Sequence, residues 1–267
     1  MATSPEPSYA ELHCLSNLSF LQATAEVEDL LDRAKELGYA ALAITEECAL
    51  YSAPRAHIHA QSIALPLLLG ATLRLEEGLE TVLLIENRQG YTALAQLITL
   101  ARSRAKKGGY RAFLADLLPR TGLLAIVLPD YRQEPQQAGE YIASLCSAWG
   151  RERLWLGLSL RCSGDHGEQL AGLRRWQEHF SLSAVACTGA RMARRGERFV
   201  LDVLTAIRQG KPLQELGWAL PKNGECHLRS RQRLGQLYPT DLLAETVQIV
   251  QRCHFSALRR FEWVMGV

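Results

Sequence analysis

The side chains best suited to chemistry stand close to the N-terminus. In "ELHCLSNLSFL", His13 precedes Leu15 by two positions, the spacing of a His-x-His pair cut to one imidazole. In "YAALAITEECAL", Glu46 and Glu47 place two adjacent carboxylates at the end of an apolar run. Neutral imidazoles and anionic oxygens that converge can hold a divalent cation, which acidifies bound water and offsets phosphate charge. His13, Glu46 and Glu47 are therefore the candidate remnant of a metal site, able to hold at most one weak Mn or Zn ion.

The other histidines do not complete such a site. "RAHIHA" would set His57 and His59 about 200° apart on a helix, so the two cannot easily meet one ion. His166 falls in a turn, His179 on a helix, and His227 and His254 in a basic tail, where surface or capping roles are expected. "CSGDHGEQ" has the Ser, Gly and Asp of ordinary turn chemistry. The chain has no Gly-x-x-x-x-Gly-Lys-Ser/Thr, Gly-x-Gly-x-x-Gly or Gly-x-Ser-x-Gly signature. "HLRSRQRL" is a different candidate: Arg229, Arg231 and Arg233 fall within a turn and a half of helix, where guanidinium groups could contact nucleic-acid phosphates or a partner domain. A solvated, salt-bridged helix face fits the same residues.

The elements that would position these groups alternate. Strand-length apolar runs and helical patterns succeed one another through the first 190 or so residues, which argues for βα units on a mainly parallel sheet. The first strand lies near Leu12. "AEVEDLLDRAKELG" puts Val27, Leu30, Leu31 and Ala34 on one helical face and stops at Gly38. Strands follow in "YAALAIT", "LPLLLGATLRL", "ETVLLIE", "GLLAIVLP", "RLWLGLSL" and "SAVACT", with helices in "YTALAQLITLARSRA", from Glu140 to Ala148 and from Gly167 to His179. Seven parallel strands, each with a helix, suit a closed barrel whose C-terminal strand ends hold any chemistry. Beyond Thr188 the pattern is helical.

Composition supports a globular chain: 48% of the 267 residues are apolar, enough for a full core. No apolar run approaches the length of a membrane span, and the start lacks the basic and apolar regions of a signal peptide, so a cytoplasmic address without membrane contact is expected. Seven cysteines form no Cys-x-x-Cys pair and read as reduced thiols. The net charge of +2 is uneven, with 13 Lys/Arg against 7 Asp/Glu from Thr188 onward and 17 against 21 before it. The basic C-terminal third could face a DNA backbone or could be a solvated surface.

Five stretches in order, "AELHCLSNLSFL", "LGYAALAITEECAL" with "RAH", "LITLARSRAKKGGYR", "VLDVLTAIRQGKPL" and "HLRSRQRLGQLYP", resemble the N-terminal PHP domain of error-prone bacterial DNA polymerases related to the α subunit of DNA polymerase III. The resemblance runs from about Tyr9 to Phe261. It implies an α/β fold, a distorted seven-stranded β/α barrel over 1–190, with a basic helical extension over 191–267 leading toward a palm domain. In the wider family, aspartates, glutamates and histidines at strand ends hold up to three metal ions for phosphoester hydrolysis. Here the Asp-Leu-His-x-His motif reads Glu11-Leu12-His13-Cys14-Leu15, and Thr-Asp-His reads Thr45-Glu46-Glu47. The glutamate of Gly-Ala-Glu becomes Thr72, and Asp-x-His falls on Ala190-Arg191-Met192, where Arg191 would bring positive charge toward any metal.

The resemblance thus implies an inert, hydrogen-bonded pocket with no cofactor. Nucleotide transfer in these polymerases belongs to palm aspartates, which this chain lacks, so alone it is expected not to polymerise. The implied role is a non-catalytic scaffold or fragment in translesion synthesis and damage-induced mutagenesis, with the remaining polymerase domains or other replication proteins as partners. Phe261, Trp263, Val264 and Met265 read as part of a severed interface, the mark of a truncated product. The alternatives are a stand-alone metal-dependent phosphoesterase with a reduced site and a free regulatory interaction domain.

Overall fold

The computed structural model describes residues 6–117, 121–133 and 137–255. Seven strands form one sheet in sequential order: β1 (Ala10–Cys14), β2 (Ala41–Glu47), β3 (Leu67–Arg74), β4 (Glu80–Ile85), β5 (Leu123–Leu128), β6 (Leu154–Leu158) and β7 (Ser183–Ala186). The sheet is curled as a distorted barrel. Its edges meet at the C-terminal end of β1, where Cys14 bridges Ala190 and Leu15 N–H donates to the Ala190 carbonyl at 2.9 Å.

The expectation of seven parallel strands fails at β4, which runs antiparallel to both β3 and β5. Only Leu75 to Leu79 separate it from β3, too few residues for the crossover that a parallel pair requires. A tight turn closes instead, with Gly78 at φ +88° and Gly78 N–H donating to the Leu75 carbonyl. The reversal matters for the site. Glu80, the first residue of β4, pairs in register with Arg74, the last of β3, so β4 begins at the rim where the parallel strands end.

Helices cover one face of the sheet. These are α1 (Val27–Glu36), α2 (Ala53–Ser62), α3 (Arg88–Ser103), α4 (Gln137–Trp149) and α5 (His166–Phe180). The four apolar residues that define the face of α1 are the four it buries, Val27, Leu30, Leu31 and Ala34, with Val27, Leu30 and Leu31 each contributing about 2 kcal/mol by removal from water. Asn87 caps α3 by accepting from Gln89 and Gly90 N–H, and a Cβ on Gly90 would fall 1.7 Å from the Gly122 carbonyl, so only glycine lets this helix meet the turn before β5.

A second apolar cluster takes alternate residues of the strands, among them Leu12, Ala43, Val82, Ile126 and Val185. The residues after 190 are helical, with α6 (Arg198–Gln209), α7 (Arg231–Leu237) and α8 (Thr240–Arg252). α8 packs back on β7 and β1 and adds Ile249 to that second cluster. Thr246 Oγ1 accepts the Ala10 N–H at 3.0 Å and Trp155 Nε1 donates to Glu245 at 2.7 Å, so the last helix is part of the barrel wall.

Candidate functional site

His13 owes its position to an irregularity in β1. The register against β2 shifts between Glu11 and Cys14, and such bulges re-aim side chains beside functional sites. The His13 N–H donates to Glu11 Oε1 at 2.9 Å, so Glu11 supplies a partner where the ladder shifts. His13 is only 3% exposed, and neither ring nitrogen has a hydrogen-bond partner among the described residues. Its Nε2 lies 3.8 Å from Glu80 Oε1. Burial, aided by Arg161 and Arg191 and opposed by Glu80, pulls its pKa down to about 4, so the ring is neutral near pH 7.

Arginines surround this histidine. Arg74 donates to Glu80 at 3.1 Å. Burial works to raise the pKa of Glu80, but the interaction with His13 and the charges of Arg74 and Arg191 outweigh it and hold the carboxyl below its ordinary value. Arg191 is pushed down to about 10 by burial and by the like charges of Arg161 and Arg74. The alternation of its segment explains its place: Ala190 packs into the main core and Met192 against Leu201 and Cys226, leaving Arg191 between them as the residue whose charge acts on the rim. Ala190 and Met192 therefore fill apolar packing positions.

The carboxylates at the barrel end are already engaged. Glu11 is fully buried and accepts from Tyr9 at 2.8 Å and from the N–H and hydroxyl of Thr188. Burial raises its pKa against those hydrogen bonds. Glu46 accepts from the hydroxyls of Ser16 and Ser19 and from Ser16 N–H, and burial again raises its pKa. Glu47 turns elsewhere, accepting from Tyr110 at 2.9 Å. His13, Glu46 and Glu47 thus each answer to different neighbours, and no three His, Cys, Asp or Glu side chains among the described residues are placed to hold one ion. Thr72, at another ligand position, donates to the Thr45 carbonyl, and Leu15 is buried. A set of pinned carboxylates beside three guanidinium groups does not fit the multi-metal cluster that the family pattern implies.

The arginine trio does not form one face. Arg229 is 1% exposed, lies before α7 begins, and donates to the Leu160 and Glu225 carbonyls. The expected phosphate contact is corrected for this residue, because a guanidinium buried in the fold and held there by carbonyls does not face the surface. Arg231 pairs with Glu6 at 2.9 Å and donates to the Leu37 carbonyl. Arg233 alone is exposed, near Gln236 and Cys162. Among the histidines, His57 is buried and His59 pairs with Asp32 at 2.7 Å. Phe261, Trp263, Val264 and Met265 lie outside the described residues. All seven cysteines are free. Sequence reasoning does not reach Arg74, Glu80 or Arg161 as site residues; a carboxylate six residues after a strand-ending arginine is the signal for the Arg74–Glu80 hairpin.

The PHP domain profile matches residues 11–153. The error-prone DNA polymerase of Methylococcus capsulatus is 43% identical over 96% of this chain, and that of Pseudomonas syringae pv. tomato is 45% identical over 93% of it. The chain spans about a quarter of each relative, 24% in both cases. Among solved structures, an amidohydrolase from Chromobacterium violaceum, with bound sulfate and no metal, superposes with a TM-score of 0.54 at 14% identity, covering 69% of this chain and 88% of its own. No helix among the described residues is long and apolar enough to cross a membrane.

Proposed function

The chain belongs to the PHP-domain family, matching the N-terminal region of error-prone DNA polymerases, and on that premise we propose that it is a non-catalytic scaffold domain of such a polymerase, acting in translesion synthesis and damage-induced mutagenesis. The observation that carries the reading is the barrel rim: its carboxylates are held by hydroxyl and amide donors, and guanidinium groups stand where hydrolysis would need cations held by anionic ligands. The address of such a domain is the cytoplasm.

A scaffold needs a surface for its partner. On α6, Phe199 is 68% exposed and Ile207 60%, with Val200 exposed beside them, and Trp218 stands 94% exposed shortly after. Phe199, Val203 and Ile207 recur every fourth residue and so form one stripe. An exposed apolar row of this kind marks an interaction site. Because the relatives are about four times as long as this chain, the partner of this stripe is the remainder of the polymerase. Arg233 is the member of the arginine trio left for a DNA-backbone contact.

The test is association of this chain with a polymerase of the family lacking its own N-terminal quarter, measured by analytical ultracentrifugation. A one-to-one complex weakened by Phe199→Glu and Ile207→Glu is the expected result. No complex, or chelator-sensitive phosphodiester hydrolysis by the isolated chain, would favour the stand-alone enzyme over the scaffold.

A further inference from the structure

A groove of about 860 Å³ that His13 does not border lies between the loop after β1, the end of β2 and the turn after α3. Two aromatic side chains on it stand open to solvent, Phe20 at 79% exposed and Tyr51 at 61%. The loop that carries Phe20 is tied down. Ser19 donates its hydroxyl to Glu46 and accepts the Glu47 N–H at 3.0 Å, and the Gln22 N–H closes back on the Ser19 carbonyl at 2.9 Å. Aromatic surface held out in water on a fixed loop marks an interaction site.

The charge on this groove is one-sided. Among the described residues, four basic side chains line it against one carboxylate, Glu47. Arg102 is spent within the fold, donating to the Cys48 and Glu47 carbonyls at 3.1 and 3.2 Å. Lys106, Lys107 and Arg208 are exposed and have no ion pair among the described residues, so their charge is free to attract an anionic partner. Two acceptors on the same lining, Glu47 Oε2 and Gln22 Oε1, are buried without a donor, which is costly unless a ligand supplies one. A peptide backbone brings one N–H for each residue, whereas the sugar–phosphate chain of DNA brings none. An anionic peptide answers the lysines and the unpaired acceptors together.

We propose that this groove captures an acidic peptide segment of a partner protein. The segment lies extended, with an aromatic or leucine side chain against Phe20 and Tyr51, its carboxylates on Lys106, Lys107 and Arg208, and backbone N–H groups on Glu47 and Gln22. Peptide capture here does not require the docking of α6, and either can fail while the other holds.

The test is fluorescence anisotropy of the whole chain with a labelled peptide in which a Leu-Phe pair is flanked on both sides by Asp and Glu. Saturable binding is expected, weakened about tenfold or more by Lys106→Glu with Lys107→Glu, and again by Phe20→Ser. These side chains are exposed, so the melting temperature of each variant should match wild type. No saturable rise with the wild-type chain would overturn the proposal, whatever the variants do. Equal binding by the substituted proteins would overturn it as well. A loss confined to the charge reversal would reduce the contact to non-specific attraction. Labelled single-stranded DNA that binds more tightly than the peptide and displaces it would assign the groove to nucleic acid instead.

Discussion

Arg229→Met removes a guanidinium while keeping most of the side-chain volume, and it separates two roles for this residue. In the fold, Arg229 donates at 3.1 Å to the Glu225 carbonyl and at 2.8 Å to the Leu160 carbonyl, and lies 3.5 Å from the Glu225 carboxylate. Tyr39 in turn donates to the Arg229 carbonyl at 2.6 Å, tying the segment to the end of α1. Each buried carbonyl left without a donor costs about 1–3 kcal/mol, and an uncompensated carboxylate adds to that. The sum is about 3–5 kcal/mol, the range for breaking a buried ion pair. At about 2–4 °C per kcal/mol for a domain of this size, the melting temperature should fall by about 10 °C. Differential scanning calorimetry reads it directly. An unchanged melting temperature together with weakened DNA binding would refute the reasoning and restore Arg229 as a phosphate contact.

Other expectations follow from the same contacts. His13 has a folded pKa of about 4 against about 6.5 unfolded, so the unfolded chain binds the extra proton between those values and stability falls as pH drops through that window. The His13 contribution is about 3 kcal/mol, opposed by the early protonation of Glu11 and Glu46, whose pKa values are raised; urea unfolding at pH 7 and pH 4.5 should show a smaller acid loss in His13→Gln. Gly90→Ala would drive a methyl into the Gly122 carbonyl and should cost about 3 kcal/mol or yield insoluble protein, which expression and thermal melts would reveal. Ile207→Glu, on the exposed stripe, should leave stability within about 0.5 kcal/mol of wild type, and a large loss would mean that the stripe is packed within this chain.

Most of the architecture was legible because the apolar periods were strong. The four buried residues of α1 and the positions of all seven strands could be read from the spacing of Leu, Val and Ala. Strand direction was not, since a half-buried strand has the same alternation whichever way it runs; only the five-residue Leu75–Leu79 link carried the reversal of β4. The rim was legible in part. His13, the displaced ligands and the positive charge of Arg191 could be named from the motif pattern, but Arg74, at the end of β3, and Arg161, in the loop after β6, approach His13 from segments distant in sequence. Arg229 misled because an arginine among arginines reads as surface, whereas its neighbours in space are the carbonyls of Leu160 and Glu225.

The proposed scaffold role rests on a barrel mouth occupied by arginines rather than by catalytic metal ions. It is tested most directly by elemental analysis of the purified chain after incubation with Mn²⁺ or Zn²⁺ and desalting. No ion should be retained per chain, before or after His13→Ala. A stoichiometric ion that is lost on His13→Ala would contradict it and return the phosphoesterase reading to this protein.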